Sequence, residues 1–228
     1  MEKHILTKIY HETKPVLECI TNKTARTKEE IDTLNSFEYD HIVDYLLDNK
    51  HKDPVPVDLL RRYQMEFSDV RTAPTSGSYW MYRMANSKFP FEEKIALFWH
   101  GHFATSDDKV RDYRKMAGQI QLFREHGTGN FRDLVLAVAQ DPAMLVFLDA
   151  GENIKGRPNE NFAREILELF TMGIGNYTEK DIREAARAFT GWTNDGLTFV
   201  IDAELHDEDV KTFLGKTGNF DGTEIVDI

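Results

Sequence analysis

The run Asn159-Glu160-Asn161-Phe162-Ala163-Arg164-Glu165-Ile166-Leu167-Glu168-Leu169-Phe170 decides the fold, together with the stretch Thr178-Glu179-Lys180-Asp181-Ile182-Arg183-Glu184-Ala185-Ala186-Arg187-Ala188-Phe189. In the first, Phe162, Ile166, Leu169 and Phe170 fall on one face at helical spacing. Gly173 or Gly175 stops that helix, because glycine accepts the left-handed conformation of a C-cap. Thr178 followed by Asp181 marks a new start, in which a hydroxyl and a carboxylate satisfy free backbone N–H groups. Ile182, Ala185, Ala186 and Phe189 then face inward, and Gly191 ends the second helix. Two adjacent amphipathic helices with a short glycine-containing connection predict a helical core.

Upstream the pattern continues. Thr27 and Glu30 read as a capping box ahead of Ile31 and Leu34, and Ser36 opens a helix carrying Ile42, Val43, Leu46 and Leu47. Pro54 and Pro56 end it, and a helix with Leu59, Leu60, Tyr63 and Phe67 follows Val57. Residues 72–78 read as a loop and Tyr79–Met84 as helical. Pro90 suits the first turn of the next helix, with Glu92 and Glu93 near its positive end and Gly101 as its expected stop. Val110, Tyr113, Met116, Ile120 and Phe123 predict one helix through Glu125. Asn130 and Asp141-Pro142 read as successive N-caps. Phe98, Trp99, Phe103, Phe189 and Trp192 are expected in the core.

Beyond Trp192 the periodicity changes. Leu197–Ile201 predicts a short strand, Lys211–Asp221 a loop, and Thr223–Ile228 the first turn of an amphipathic helix. A chain stopping one turn into a helix predicts a longer protein, since isolated turns are unstable. The fold class is therefore mainly α: a multi-helix globular domain with a short irregular or β-containing C-terminal segment. Residues 1–56 form an N-terminal helical segment and residues 57–228 the helical core.

With 228 residues, 41% of them hydrophobic, the chain can bury a sizeable core. Its formal charge of -11 argues against general nucleic-acid binding, which needs positive charge against phosphate. Lys180, Arg183 and Arg187 form a basic stripe, but interleaved Glu179, Asp181 and Glu184 favour salt pairing over DNA. Cys19 stands alone, so neither an internal disulfide nor a cysteine metal cluster can form. No apolar run approaches the roughly 20 residues of a bilayer span, and no signal peptide is recognisable.

Four segments together resemble a bacterial family catalogued as domain of unknown function number eighteen hundred. They are Phe91-Glu92-Glu93-Lys94 through Phe98-Trp99-His100-Gly101-His102-Phe103; Asn159 to Glu165 with Leu167 to Phe170; Ala185 to Trp192; and His206-Asp207 with Lys211 to Gly215. The resemblance covers about residues 57 to 228. It implies export in many members and a chain continuing past Ile228, and it carries no established reaction.

Three polar clusters are the candidate site. His100 and His102 are potential metal ligands, provided Gly101 breaks the helix; on an unbroken helix, positions i and i+2 point about 200° apart. The plainer account places both at a helix C-terminus, where positive charge is favourable. Asn159, Glu160, Asn161 and Arg164 are explained by capping and by pairing of Arg164 with Glu160 or Glu168. Asn161, Glu165 and Glu168 nevertheless share one helix face, which makes Glu165 a candidate catalytic carboxylate if buried. His206 and Asp207, in an acidic run, would complete a His/carboxylate site for a divalent metal. The sequence thus supports a metal-assisted hydrolase using Glu165, His206 and Asp207. The alternative is a non-catalytic helical binding or scaffold domain locked by buried hydrogen bonds. Convergence of the three clusters separates the two.

Overall fold

The computed structural model describes residues 36–47 and 90–228, together with residues 28, 32, 80, 81, 83, 84 and 87. The Thr27–Glu30 capping box, the prolines 54 and 56, the helix after Val57, the loop 72–78 and the boundary after residue 56 lie outside them.

The helices are α1 (Tyr39–Leu47), α2 (Pro90–His102), α3 (Asp107–Val110), α4 (Tyr113–His126), α5 (Phe131–Ala139), α6 (Pro142–Phe147), α7 (Glu160–Glu165), α8 (Glu179–Ala188) and α9 (Gly222–Asp227). Residues 150–152 form a 3₁₀ turn, and Ile166–Thr171 is a π-helical continuation of α7. Strands β1 (Trp192–Asp195) and β2 (Thr198–Ile201) make one antiparallel hairpin; β3 (Lys211–Phe213) and β4 (Lys216–Gly218) make another. The chain is mainly helical rather than wholly so.

Caps set the helix starts as the sequence predicts. Asn130 accepts from the Arg132 N–H, Asp141 from the Met144 N–H, and Thr178 with Asp181 forms a reciprocal capping box. α2 packs on α4, α4 on α5 and α6, α7 on α8, and α9 on α5 and α8. Their inner faces join in one core containing Phe103, Phe123, Leu134, Met144, Phe162, Ile182, Phe189 and Trp192.

Several expectations are corrected. α2 runs through Gly101 to His102. The single helix expected from Val110 is broken, because Arg111 adopts φ 53° and Asp112 recaps the chain for α4. Phe98 is 44% exposed instead of buried. Leu169, expected on the inner face, is 58% exposed: the π-turn widens the hydrogen-bonding step to five residues and brings Leu167 inward instead.

The loop expected at residues 211–221 is the β3–β4 hairpin, paired from Lys211 with Gly218 to Phe213 with Lys216. Its two-residue turn has φ 46° at Leu214 and 79° at Gly215, which suits a type I′ hairpin. Leucine is an unusual first residue there, so the turn carries no sequence signal. Its conformation is held by Asp181, whose Oδ1 accepts the Leu214 N–H at 2.8 Å, while Glu184 accepts the Thr212 N–H at 2.9 Å. Two carboxylates of α8 thereby fasten the hairpin to the helix.

Candidate functional site

The polar residues at the start of α7 are bonded to the chain's own backbone and charges. Asn159 is the N-cap and accepts from the Asn161 N–H. The Asn161 side chain donates to the Leu148 carbonyl at 3.1 Å, tying α7 to the end of α6. Arg164 pairs with Glu160 at 3.1 Å and with Glu179 at 2.8 Å, which joins α7 to α8. Glu168 accepts the Tyr177 hydroxyl at 2.6 Å, and this bond raises the Tyr177 pKa to about 12. Glu165 has no hydrogen-bond partner among the described residues. Burial, followed by the nearby Glu168 charge, raises its pKa above the ordinary carboxylate value.

Asn153 lies in the loop before α7, a residue the motif reading passes over. Its Oδ1 accepts the Asn159 N–H at 2.9 Å and its Nδ2 donates to Ala186 O at 2.8 Å. Its own carbonyl accepts the Gly191 N–H at 3.0 Å. Gly191 has φ 76°, and a Cβ there would lie 2.5 Å from the Asp202 carbonyl oxygen. Only glycine fits where these segments meet.

His206 and Asp207 close the same frame. His206 Nδ1 donates to the Thr190 carbonyl at 2.8 Å, which places a proton on Nδ1. Asp207 pairs with Arg187 at 2.8 Å, and its backbone N–H donates to Thr190 Oγ1 at 2.7 Å. Burial opposes ionisation of Asp207, but Arg187 and the Asp209 N–H outweigh it and depress its pKa. Lys211 is completely buried, with Nζ donating to the carbonyls of Asp207 at 2.5 Å and Asp209 at 3.0 Å. Burial lowers the Lys211 pKa. Arg187 of the basic stripe is committed to Asp207 and Glu184.

His100 and His102 diverge, because α2 is unbroken between them. His100 packs edge-on against Trp80, with ring centroids 5.4 Å apart, and its Nδ1 has no hydrogen-bond partner among the described residues. Burial lowers its pKa. His102 Nε2 bonds the Phe170 carbonyl at 3.1 Å, and its ring lies edge-on to Phe103. Among the described residues, no group of three or more His, Cys, Asp or Glu side chains could hold a metal ion. The structure therefore brings His206 and Asp207 onto the end of α8 and Asn159–Arg164 onto the adjoining α7. It does not assemble them with the two α2 histidines into a ligand set.

Two further buried polar groups, Glu93 and Asp141, are marked in the sequence only as helix-start residues. Glu93, 1% exposed, accepts from Trp80 Nε1, Arg83 Nε and Arg124 Nε and Nη2 at 2.8–2.9 Å. Burial alone would raise its pKa; Arg124 and Arg83 lower it on balance. Asp141 caps α6 and accepts from Gln119 Nε2 at 2.7 Å, while Thr105 donates to Gln119 at 2.5 Å. Without a cation in contact, burial raises Asp141 to about 6. Their sequence signals were ordinary, a first-turn acid and an N-cap, because partners 22 and 31 residues away in the chain create the burial.

No described helix is long and apolar enough to cross a membrane. Comparison with curated proteins and with solved structures finds no match. A family model described as Protein of unknown function (DUF1800) matches residues 24–228, so the chain belongs to that family.

Proposed function

We propose that this chain is a non-catalytic helical scaffold whose polar motifs hold irregular segments against the helices, leaving the outer surface to bind partners. The observation that carries this reading is the occupation of those motifs. Asn159, Asn161, Arg164, His206 and Asp207 each bond to the chain's own backbone or counter-charges. Such networks specify one arrangement of elements when every member is satisfied. The test combines elemental analysis of purified protein with thermal melts of Asn161→Ala, His206→Ala and Asp207→Asn. The scaffold reading expects each substitution to lower the melting temperature with no change in metal content. Stoichiometric metal that is lost in His100→Ala or His206→Ala overturns it.

Glu165 supports a second reading, metal-assisted hydrolysis. Its partly buried carboxyl has a raised pKa and no hydrogen-bond partner among the described residues, features suited to a general base. That reading expects hydrolysis of simple phosphoester or ester substrates to require both an added divalent ion and Glu165. Unaltered rates in Glu165→Gln would remove it.

A further inference from the structure

Thr105, Gln119 and Asp141 form a polar row that crosses the interior from the α2–α3 loop, past the middle of α4, to the start of α6. None of the three is more than 9% exposed. The row runs one way: Thr105 Oγ1 donates to Gln119 Oε1 at 2.5 Å, and Gln119 Nε2 donates to Asp141 Oδ2 at 2.7 Å. An ionised carboxylate dictates this order, because it accepts hydrogen bonds and donates none. The Met144 N–H also ends on Oδ2, at 2.9 Å. The Thr105 hydroxyl has a second acceptor within reach, Met116 Sδ at 4.0 Å. At Gln119, turning the terminal amide over exchanges donor and acceptor with almost no change in shape, about a torsion that is soft.

From this geometry we infer that the row is a proton-operated switch whose direction reverses when Asp141 takes up a proton from solvent. The protonated carboxyl donates to Gln119 Oε1, the turned amide donates from Nε2 to Thr105 Oγ1, and Thr105 donates to Met116 Sδ. Every donor keeps an acceptor, and the carboxyl's hydroxyl oxygen retains a lone pair for the Met144 N–H. Both directions therefore satisfy the buried groups, which a two-state polar network requires. The surroundings bring the change close to neutral pH. α6 itself carries no charged side chain. Lys115 on α4 favours the carboxylate, but burial outweighs it and raises Asp141 to about 6. Arg114 and Arg124 on α4 are held by Asp112 and Glu93, and Glu125 and His126 lie in its last turn. α3 contributes the anions Asp107 and Asp108, while its Lys109 pairs with Asp149. Glu152 and Asp195, on the other segments packed against α6, are exposed, and Arg132 and Asp133 sit at the opposite end of α5. The row is separate from the α7–α8 polar frame, so it stands or falls independently of the scaffold reading.

Nuclear magnetic resonance of the full chain, with labelled aspartate, glutamine and methionine followed from about pH 8 to 5, tests this. The Asp141 carboxyl carbon, the Gln119 side-chain amide and the Met116 methyl are expected to shift with one common midpoint. Asp141→Asn brings its own N–H donor to Gln119, so it should hold the Gln119 and Met116 signals at their acid positions at every pH. Thr105→Val removes the hydroxyl, and its Met116 signal should no longer follow Asp141. The titration of the unaltered chain needs no variant and decides the matter by itself. An Asp141 that titrates while Gln119 and Met116 stay fixed, an Asp141 that does not titrate in this range, or a Met116 response that survives in Asp141→Asn would overturn the switch.

Discussion

Replacing Asn153 by alanine removes two hydrogen bonds at once from a residue that is 1% exposed. The Asn159 N–H loses its acceptor at the entry to α7, and the Ala186 carbonyl loses its donor in the last turn of α8. Carbonyls in that turn lack helical partners. Each group left unsatisfied in the interior costs about 1–3 kcal/mol, so the pair should cost roughly 2–6 kcal/mol. For a domain of this size that is on the order of 4–24 °C in melting temperature. Urea denaturation followed by far-ultraviolet circular dichroism gives the free energy directly, through a lowered midpoint at unchanged slope. Asn153→Asp sharpens the test. It retains the acceptor for Asn159 but aims a carboxylate oxygen at the Ala186 carbonyl, so at pH 7 its loss should equal or exceed that of alanine. A repelled carboxylate has a raised folded pKa, so this variant should regain stability as the pH falls and the acid protonates. A loss below about 0.5 kcal/mol in Asn153→Ala, or an Asp variant insensitive to acid, would refute the role of this residue as the link between α7 and α8.

Three further substitutions probe the buried charges and one close backbone approach. Glu93→Ala strands the Arg124 guanidinium, 4% exposed, and should cost about 3–5 kcal/mol in chemical denaturation, with Glu93→Ala/Arg124→Met recovering much of it. Because the folded pKa of Glu93 is depressed, its contribution is complete above the ordinary value of 4.5 and disappears as pH falls through the lower folded value; the double variant should lose that acid sensitivity. Asp141 behaves oppositely. Its folded pKa of about 6 lies above the ordinary 3.8, so its contribution is complete below about pH 3.8 and is lost as pH rises to 6, a change of roughly 3 kcal/mol. Asp141→Asn, which keeps an acceptor for the cap, should flatten this part of the stability–pH curve, and an unchanged curve would count against the burial argument. Gly191→Ala combines φ 76° with a Cβ 2.5 Å from the Asp202 carbonyl; a melting temperature lower by at least about 5 °C is expected, and wild-type stability would show that the 202–206 loop yields freely.

The helices were legible where local chemistry decides them. Asn130, Asp141 and Thr178 mark starts through side chains bonding backbone two or three residues away, which is information contained within one turn. The misreadings share a different cause. Leu169 turned outward because of a π-turn that no apolar spacing announces, and Arg111 interrupted a periodic run by a single backbone conformation. The β3–β4 turn at Leu214-Gly215 depends on Asp181, 33 residues earlier. The candidate site followed the same division. Residue types at His100, His102, Glu165 and His206 were visible, but their mutual position was not. The unbroken α2 separates the two histidines, and His206 is drawn to Thr190. Asn153 carried no motif at all, since its importance comes from partners on α7 and α8.

The distribution of polar bonds suggests why these motifs are dense in the second half of the chain. Backbone without regular structure must find partners outside a helix or sheet ladder. Residues 148–159 and 202–210 are mostly of this kind, and they contact the ends of α6, α7 and α8, where helices also leave groups unpaired. Asn153 and Asn161 serve the first segment, and Thr190, His206, Asp207 and Lys211 serve the second. Lys211 shows the physics most clearly: its buried ammonium offers three donors, and it binds the loop carbonyls of Asp207 and Asp209. A protein that needed these residues only for solubility would leave them on the surface. Their placement at the junctions between helix ends and irregular backbone supports the proposed scaffold, at a cost of burial that apolar packing alone would have avoided.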